Sequence, residues 1–306
     1  MYREKKEQVL MSLGLKGIGD KMKSPWLLID VSPIAYRSMY VMSELSHEGM
    51  ATGAIFGIFR LVTELTELFN TDRVVWCFDG GYTARLKIYP EYKANRHTNE
   101  VFQSEEMQAR RSIREQLDRL RDGVLSEMGF RNVFCQKGYE ADDVIASICQ
   151  RLPEGETAII VSGDNDFYQL LEGTTVQMWN INKKRSYSAT SFVREFHIDP
   201  GLWSQVKAIA GCPGDNVAGI PGVGVKTAVK YLRGKLNHST KAYENIRRSL
   251  ALVKSNLKVV KLPLSGTEIF QLRDCAIDRQ KWDEGMEGLG IETLRHRRRV
   301  KGSRLV

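Results

Sequence analysis

The chain has 306 residues, and its 45 lysines and arginines outnumber its 37 aspartates and glutamates, for a formal net charge of +8. Hydrophobic residues make up 42% of the sequence, enough to bury the core of one large domain or two smaller ones. It has no apolar run long enough for a membrane span, no signal-peptide core, and five cysteines without a C-x-x-C pair. These observations disfavour a membrane protein, a disulfide framework and a zinc site, and they predict a cytoplasmic protein with reduced thiols.

The first part of the chain alternates between predicted helices and strands. Residues 1–24 are charged and indicate an appended helix or a loose arm without assigned chemistry. The apolar runs 26–30 and 73–79 each predict a short strand that ends in an aspartate. Helices are predicted between them at 33–42 and 53–69, the second with an apolar stripe that is typical of core packing.

Positive charge and aromatic rings interleave after the second of these strands. Residues 82–96 contain Arg85, Lys93 and Arg96 among several tyrosines and few acids. Because cations neutralise phosphates and bases stack on aromatic faces, this stretch predicts contact with a single strand of nucleic acid. Residues 104–128 are also rich in arginine, but the glutamates mixed among them favour an exposed charged helix.

Two acidic segments carry the strongest chemical signal. Glu140, Asp142 and Asp143 precede an apolar stripe at helical spacing, and the apolar strand 158–161 runs into Ser-Gly-Asp-Asn-Asp166. Either segment alone is as well explained by helix caps and turns, which aspartate commonly occupies. Together with the acids that end the earlier strands, they should converge at the carboxyl edge of a parallel sheet and repel one another unless a cation lies between them. Their oxygen ligands suit Mg²⁺ or Mn²⁺, and the candidates are Asp30, Asp79, Glu140, Asp142, Asp143, Asp164 and Asp166.

The alternation of strands and helices also predicts the fold class. With further strands at 132–135 and 175–179, we expect an α/β fold whose mostly parallel central sheet has helices on both faces. Helices at 192–196 and 202–210 would begin a helical C-terminal part. The basic tail 296–301 would add non-specific attraction to DNA.

A glycine-rich turn occupies residues 219–230. It is not a P-loop, because Val225 separates Gly224 from Lys226, and it lacks the third glycine of a dinucleotide fingerprint. A tight turn that opens a helix at about 226–233 remains. Its free backbone N–H groups and nearby lysines can hold the phosphate of one strand without reading its sequence. The predicted contacts are Gly222, Gly224, Lys226 and Lys230.

A series of short motifs runs through residues 28–228: Leu28-Ile-Asp30, Phe78-Asp79, Tyr89-Pro-Glu-Tyr-Lys-Ala-Asn-Arg96, Glu140-Ala-Asp-Asp143, Ser162-Gly-Asp-Asn-Asp166, Gly214-Asp-Asn216 and Gly219-Ile-Pro-Gly-Val-Gly-Val-Lys-Thr-Ala228. In this order the motifs resemble those of the structure-specific 5′-nuclease (flap endonuclease) family. The resemblance extends to the 5′→3′ exonuclease domain of bacterial DNA polymerase I and its phage-encoded relatives. Residues 1–24 and those past about 240 lie outside it.

The resemblance implies an enzyme, a divalent-metal-dependent 5′→3′ exonuclease or flap endonuclease that hydrolyses phosphodiester bonds in DNA during replication or repair. It adds Asp215 to the metal ligands. It also places Lys93 and Arg96 at the base of a helical arch, at about 82–125, where they would contact the scissile phosphate. It further implies that a terminal base stacks on Tyr92 and that Thr227 contacts duplex DNA. Arg85 is a DNA contact predicted from the basic stretch 82–96.

The resemblance implies a domain organisation and partners as well. An extension at 1–24 would precede a nuclease domain at 25–185 and a helical DNA-binding domain at 186–306. A helix–three-turn–helix at about 216–235, in the family often with a K⁺ ion, would grip duplex DNA. The expected substrates are DNA 5′ ends, flaps and nicks, with RNA possible. The expected state is a monomer in the cytoplasm of a bacterial cell or a phage-infected host.

One position departs from the family's pattern. Where the family reads Gly-Asp-x-x-Asp-Asn, this chain has Gly211-Cys-Pro-Gly-Asp-Asn216, so Cys212 replaces the first aspartate. A thiol is a poor ligand for a hard cation such as Mg²⁺. We therefore expect two ions held with unequal strength. Site A, formed by Asp79, Glu140 and Asp142, is complete, and site B, formed by Asp164, Asp166 and Asp215, is weakened.

Two other functions remain possible on this sequence. The ligand lost at Cys212 suits a DNA-structure-binding protein that no longer cleaves, and it predicts flap binding without turnover in Mg²⁺. The second is a ribonuclease with the same kind of acidic sheet edge, which competing DNA and RNA flaps would distinguish.

Overall fold

A computed structural model describes residues 23–42, 44–96 and 104–295 of the chain. Six strands form its central sheet: β1 (Trp26–Asp30), β2 (Val74–Phe78), β3 (Val133–Cys135), β4 (Ala158–Ser162), β5 (Val176–Asn180) and β6 (Arg185–Tyr187). Their order across the sheet is β3-β2-β1-β4-β5-β6. The pairs are parallel except for β5 and β6, which are antiparallel. The predicted α/β fold with a mostly parallel sheet is therefore confirmed.

The helices lie before, between and after these strands. In chain order they are α1 (Val31–Met42), α2 (Gly53–Phe69), α3 (Thr83–Ile88), α4 (Ser104–Arg119), α5 (Leu125–Glu127), α6 (Ala141–Cys149), α7 (Ala189–Phe196), α8 (Trp203–Ala210), α9 (Val225–Leu232), α10 (Lys241–Arg248), α11 (Leu250–Val260), α12 (Arg279–Gly288) and α13 (Glu292–Arg295). Within the described ranges, none of them is both long and apolar enough to cross a lipid bilayer.

The apolar strands are buried because their side chains alternate between two cores. Leu27 and Ile29 of β1 face the core formed with α1, α2 and α12. Trp26 and Leu28 face the opposite core, formed with α6, α8 and α9. Because helices cover both faces of the sheet, the carboxyl ends of its strands form the edge that they leave uncovered.

The C-terminal helices return to the face that carries α1 and α2. Trp282 of α12 packs edge-to-face against Phe59 of α2, with ring centroids 5.7 Å apart, and Leu294 of α13 lies in the same core. The predicted division into 25–185 and 186–306 stays a prediction, but α12 and α13 pack with the first of these segments. Of the predicted extension, 1–22 lies outside the described residues, as does the basic tail 296–301.

The segment 104–128, predicted as an exposed charged helix, is only partly exposed. It consists of α4, a π-helical turn at Leu120–Val124, and α5. Ile113 and Leu120 are buried in the core with α2. The Gln116 side chain accepts a hydrogen bond of 2.9 Å from the backbone N–H of Ala54. Ile113, Leu117, Leu120 and Val124 recur at helical spacing, so the buried face was visible in the sequence, and the charged residues between them concealed it.

Glu156 joins the amino ends of the central strands. Its carboxylate accepts hydrogen bonds from Arg73, which precedes β2, and from the Trp26 indole at 3.2 Å. Lys23 pairs with it at 2.9 Å. The hydrogen bond from Arg73 is the main cause that lowers the pKa of Glu156 from 4.5 to about 2.

We expect Glu156→Gln to lower the free energy of unfolding at pH 7 by about 1.5–3 kcal/mol, the range for hydrogen bonds to a charged group. Because the folded-state pKa of Glu156 lies below 4.5, its stabilising effect is complete above that pH and is lost as the pH falls towards 2. Urea denaturation of both proteins across this range measures the difference. The exposed Glu154→Gln is the matched control, and a wild-type advantage over Glu156→Gln that stays constant with pH would contradict this assignment.

Candidate metal centre

Acidic side chains from adjacent strands meet at the carboxyl edge of the sheet. Asp30 is the last residue of β1, Asp79 follows β2, and Asp164 follows β4, and these three strands are neighbours. Together with Glu140 and Asp142 at the start of α6, they line a cavity of about 450 Å³. The structure therefore brings together the acids that the sequence placed at separate strand ends.

Asp30 and Asp79 form the part of the cavity nearest the sheet. Asp30 is only 6% exposed and accepts a 2.6 Å hydrogen bond from the Ser162 hydroxyl. Burial, followed by the charge of Asp79, raises the pKa of Asp30 well above that of a free aspartate. Asp79 is exposed, and its Oδ1 accepts the backbone N–H of Ala141 at 2.9 Å. Asp79 thereby fixes the start of α6 relative to β2.

Arg85 is buried behind the acids and faces away from solvent. It is 2% exposed, and its guanidinium donates to both oxygens of Asp143, at 2.5 and 2.9 Å. It also lies 3.0 Å from the Glu140 carboxylate. In this structure the guanidinium faces the carboxylates of Glu140, Asp142 and Asp143 at the start of α6, and the predicted contact of Arg85 with DNA stays a prediction.

Asp143 is likewise an internal structural residue. Its side chain is completely buried, and besides Arg85 it accepts the backbone N–H of Leu264 at 2.9 Å. It also accepts the N–H of Glu140 at 3.3 Å, which caps α6. In this structure the two Asp143 oxygens are occupied by a bidentate arginine and backbone donors, and those of Glu140 by Tyr92, Arg85 and Lys93. The assignment of both residues as metal ligands stays a prediction.

Tyr92 and Lys93 also point inwards, towards Glu140. The Tyr92 hydroxyl donates to Glu140 at 2.8 Å, and the ring is only 5% exposed. The stacking of a terminal base on Tyr92 stays a prediction. The Lys93 ammonium pairs with Glu140 and lies 3.6 Å from Asp215. Lys93 nevertheless lines the 450 Å³ cavity together with these acids.

Hydrogen bonds join the base of the predicted arch to the turn that carries Asp215. Lys93 N–H donates to the backbone oxygen of Asp215 at 2.9 Å. The side chains of Asn216 and Asn95 reach back, to the backbone oxygens of Glu91 and Pro213, at 2.8 and 3.0 Å. Lys93 and Asn216 both have positive φ, 57° and 56°, which non-glycine residues adopt rarely and only when their surroundings hold them there. The Arg96 side chain and residues 97–103 lie outside the described part of the chain.

Site B contains a cation of its own. The Lys207 ammonium of α8 lies 2.7 Å from Asp166 Oδ1. Burial, followed by the charge of Asp164, raises the pKa of Asp166 to about 6 despite this lysine. Cys212 is 4% exposed beside them, and burial and Asp166 raise the pKa of its thiol to about 12. The thiol therefore adds no negative charge near neutral pH.

The oxygen donors of site A fit a hard divalent cation. Asp142 Oδ1 is buried and accepts no hydrogen bond from any described residue, and burial raises the pKa of Asp142 well above the ordinary value. A cation would relieve both conditions. As they stand, no three His, Cys, Asp or Glu side chains in the described segments are grouped to hold one ion. Glu140 and Asp143 are instead neutralised by Arg85 and Lys93.

The glycine-rich turn lies at the start of α9, as predicted. Gly222 has a φ of 77°, which favours glycine, and Gly224 precedes the first residue of the helix. Lys226 and Lys230 are exposed on α9, and Thr227 is half-buried. The helix–three-turn–helix itself stays a prediction, as do the DNA contacts of these residues.

Lys207 and Ser162 are the site residues that the sequence did not identify. Lys207 lies on a helix that the sequence did predict, but it precedes Cys212 by five residues and belongs to no motif. Ser162 stands in the quoted motif that leads to Asp166, but its hydroxyl donates to Asp30 of the neighbouring strand and accepts the backbone N–H of Asp164, and the sequence gives no signal for the contact with Asp30.

Comparison with known proteins identifies the family. The family model described as 5′-3′ exonuclease, N-terminal resolvase-like domain, matches residues 25–197. The chain belongs to the 5′-3′ exonuclease family. The resemblance drawn from the motifs is therefore confirmed.

Two relatives in this exonuclease family differ in how much of their length corresponds to the chain. The 5′-3′ exonuclease of Buchnera aphidicola subsp. Schizaphis graminum is 28% identical over 242 residues, which cover 77% of the chain and 79% of that protein. DNA polymerase I of Mycobacterium bovis is 30% identical over 222 residues, or 70% of the chain and 23% of the polymerase. The chain thus spans about a quarter of the DNA polymerase I relatives that it matches.

Solved structures share the exonuclease fold. T5 5′-exonuclease with bound divalent metal ions (zinc) superimposes with a TM-score of 0.67 at 23% identity, over 79% of this chain and 90% of that one. Human GEN1 in complex with Holliday junction DNA gives a TM-score of 0.52 at 13% identity, over 87% of this chain and 68% of that one. At these identities the likeness establishes the fold.

Proposed function

We propose that the chain is a divalent-metal-dependent 5′ nuclease that hydrolyses phosphodiester bonds in DNA with 5′ ends, flaps or nicks, in replication or repair. The observation that carries this proposal is the cavity at the sheet edge, which is lined by acids from three adjacent strands and the start of α6 and also by Lys93 and Arg114. Oxygen ligands and cations around one cavity suit a phosphodiester held between a metal ion and the protein. The name of the Buchnera relative and the metal ions in the T5 5′-exonuclease structure support it.

Site A would hold the first metal ion, Mg²⁺ or Mn²⁺, through Asp79, Glu140 and Asp142. When bound, the ion would lower the pKa of a water and stabilise negative charge on the phosphate. Asp30 would act behind these ligands, since Ser162 orients its carboxylate. Lys93 would donate to a phosphate oxygen and place its charge where negative charge develops in the transition state. Arg96 would share this role, as the family resemblance implies.

The turn at Gly222–Gly224 would hold duplex DNA away from the cavity. The exposed lysines Lys226 and Lys230 support a phosphate contact that does not depend on sequence. Thr227 would donate to the same strand. A K⁺ ion at this turn, a monomeric state and a cytoplasmic location remain predictions.

A DNA-binding protein without cleavage is the second candidate. The buried Cys212 and the pairing of Lys207 with Asp166 favour it, because both weaken metal binding at site B. Site A keeps its three carboxylates, so we place cleavage first. The two candidates differ in whether a bound flap is hydrolysed.

A cleavage assay tests the proposal directly. Flap, nicked and blunt duplexes with labelled 5′ ends are incubated with the protein over a series of Mg²⁺ concentrations, with EDTA as the control. We expect flap cleavage that rises with Mg²⁺ and stops in EDTA. Flap binding without any product would support the DNA-binding candidate, and selective cleavage of a competing RNA flap would identify a ribonuclease.

A further inference from the structure

A second, more apolar groove lies on the face of the sheet that carries α1 and α2. It has a volume of about 510 Å³ and runs between α1, α2 and the residues at the end of β5. A groove of this size and composition is typical of a surface that binds a partner or a peptide segment. The apolar side chains that line it include Ile34, Val41, Leu61, Leu65, Leu68 and Trp179.

Helix α1 separates this groove from the metal cavity. Ile34 and Val41 line the groove, whereas Pro33 and Tyr36 line the cavity. The groove side of the helix is open to solvent, since Val41 is 76% exposed. A segment bound in the groove would therefore cover an exposed apolar side chain and pack against the helix that forms one wall of the cavity.

The described chain begins close to one end of the groove. The backbone oxygen of Pro25 accepts a hydrogen bond of 2.6 Å from the Thr71 hydroxyl. Two residues before Thr71, at the end of α2, Phe69 packs edge-to-face on Trp179 of the groove, with ring centroids 6.0 Å apart. Residues 1–22, which lie outside the described part of the chain, are thus joined to the protein beside the end of the groove that α2 closes.

This N-terminal segment is long enough to reach along the groove. The 12 residues of α1 correspond to a length of about 18 Å at 1.5 Å per residue. Residues 9–15, Val-Leu-Met-Ser-Leu-Gly-Leu, are mostly apolar, and seven extended residues span roughly 23 Å. The remaining residues 16–22 provide the connection back to β1. Residues 9–15 therefore match the groove in both length and apolar character.

The charges that flank this apolar patch match those along the groove. Glu67 borders the groove near the end of α2, where the chain enters, and Arg60 borders it nearer the start of that helix. In the sequence, Lys16 follows the patch and Glu7 precedes it. A patch that runs from the entry point towards the start of α2 places Lys16 near Glu67 and Glu7 near Arg60. The reverse direction would bring like charges together, which is unfavourable.

We propose that residues 9–15 of the chain dock in this groove, with their apolar side chains against Val41, Leu61 and Trp179. The inference goes beyond the proposed function and does not depend on it. Burial of apolar surface supplies the attraction. The short connection to β1 makes docking intramolecular, with an effective concentration on the order of millimolar. The docked segment would support α1 on the side opposite the metal cavity.

Photocrosslinking of the full chain tests the inference without a cleavage assay. Leu13→p-benzoylphenylalanine places a photoreactive group in the patch, and equal amounts of unlabelled and ¹⁵N-labelled protein are irradiated together. We expect mass spectrometry to find crosslinks within one chain, from position 13 to the groove residues of α1 and α2. Crosslinks between labelled and unlabelled chains would identify a second copy as the occupant, and crosslinks only to other surfaces would leave the groove without the patch. Either result overturns the inference.

Variants made in the same photoreactive protein test the contact itself. Val41→Lys should lower the crosslink yield by about fivefold, because it places a charge against apolar side chains, and the exposure of Val41 should leave the fold intact. Val193→Lys, at an exposed valine of α7 on the other face of the sheet, is the matched control and should not change the yield. Glu67→Lys should also lower the yield, and Lys16→Glu/Glu67→Lys should recover part of it. A yield that Val41→Lys leaves unchanged would overturn the inference.

Discussion

Replacing Asp79 with asparagine should reduce metal-dependent flap cleavage by about a hundredfold or more, since a metal ion contributes several kcal/mol and each ~1.4 kcal/mol is tenfold in rate. Asparagine keeps the side-chain oxygen that accepts the N–H of Ala141, so the start of α6 should stay in place. The substitution therefore removes the negative charge of Asp79 from site A and keeps its hydrogen bond. Initial cleavage rates of a 5′-labelled flap over a Mg²⁺ series measure the effect.

Two further variants sharpen this experiment. Asp72→Asn removes a carboxylate near the opposite end of β2, and it should cleave at the wild-type rate. Asp79→Ala removes both the charge and the hydrogen bond to α6, and it should also lower the melting temperature. If Asp79→Asn cleaves as fast as the wild type at all Mg²⁺ concentrations, site A is not the metal site.

Replacing Arg85 with methionine should lower the free energy of unfolding by about 3–5 kcal/mol, the usual effect of removing one partner from a buried ion pair. The variant leaves Asp143 completely buried without its bidentate partner, and Glu140 loses a cation at 3.0 Å. The length of methionine keeps most of the packing volume, so the change reports mainly the missing charge. Urea denaturation measures it.

The neighbouring Lys87 provides the matched control for Arg85. It lies on the same helix, α3, but is exposed, and Lys87→Met should change stability by less than about 0.5 kcal/mol. In a double-mutant cycle, Asp143→Asn should recover part of the loss caused by Arg85→Met, because it removes the uncompensated charge. Equal destabilisation by Lys87→Met and Arg85→Met would contradict a buried ion pair.

The sequence was sufficient for the sheet and its acidic edge. Short apolar runs that end at or just before Asp30, Asp79 and Asp164 have few alternatives to buried parallel strands, and the connection rules of such sheets bring their ends together. The sequence could not show which way the basic residues of 82–96 face. Helix α3 has only six residues, so its own sequence does not show whether the Arg85 side chain is exposed or buried. Its burial depends on the carboxylates at the start of α6, which lies far along the chain.

Site B shows a second limit of sequence reasoning. A missing aspartate at position 212 is visible in the sequence, but the ion pair between Lys207 and Asp166 is not, because the two residues belong to different elements and meet only after folding. Charge compensation between distant residues leaves no local periodicity. The departure at Cys212 therefore predicts a change at site B, but it does not predict the contact between Lys207 and Asp166.

The three hydrogen bonds between residues 91–95 and 213–216 have a geometric consequence. They couple Lys93, which would contact the scissile phosphate under the proposed function, to the segment that leads into the turn at Gly222. If that turn holds the duplex as proposed, these bonds would fix the distance between the cleavage position and the held duplex. Inserting a residue at 217–221 should displace the duplex while Lys93 stays in place, and so shift the cleavage position along the strand by a whole nucleotide.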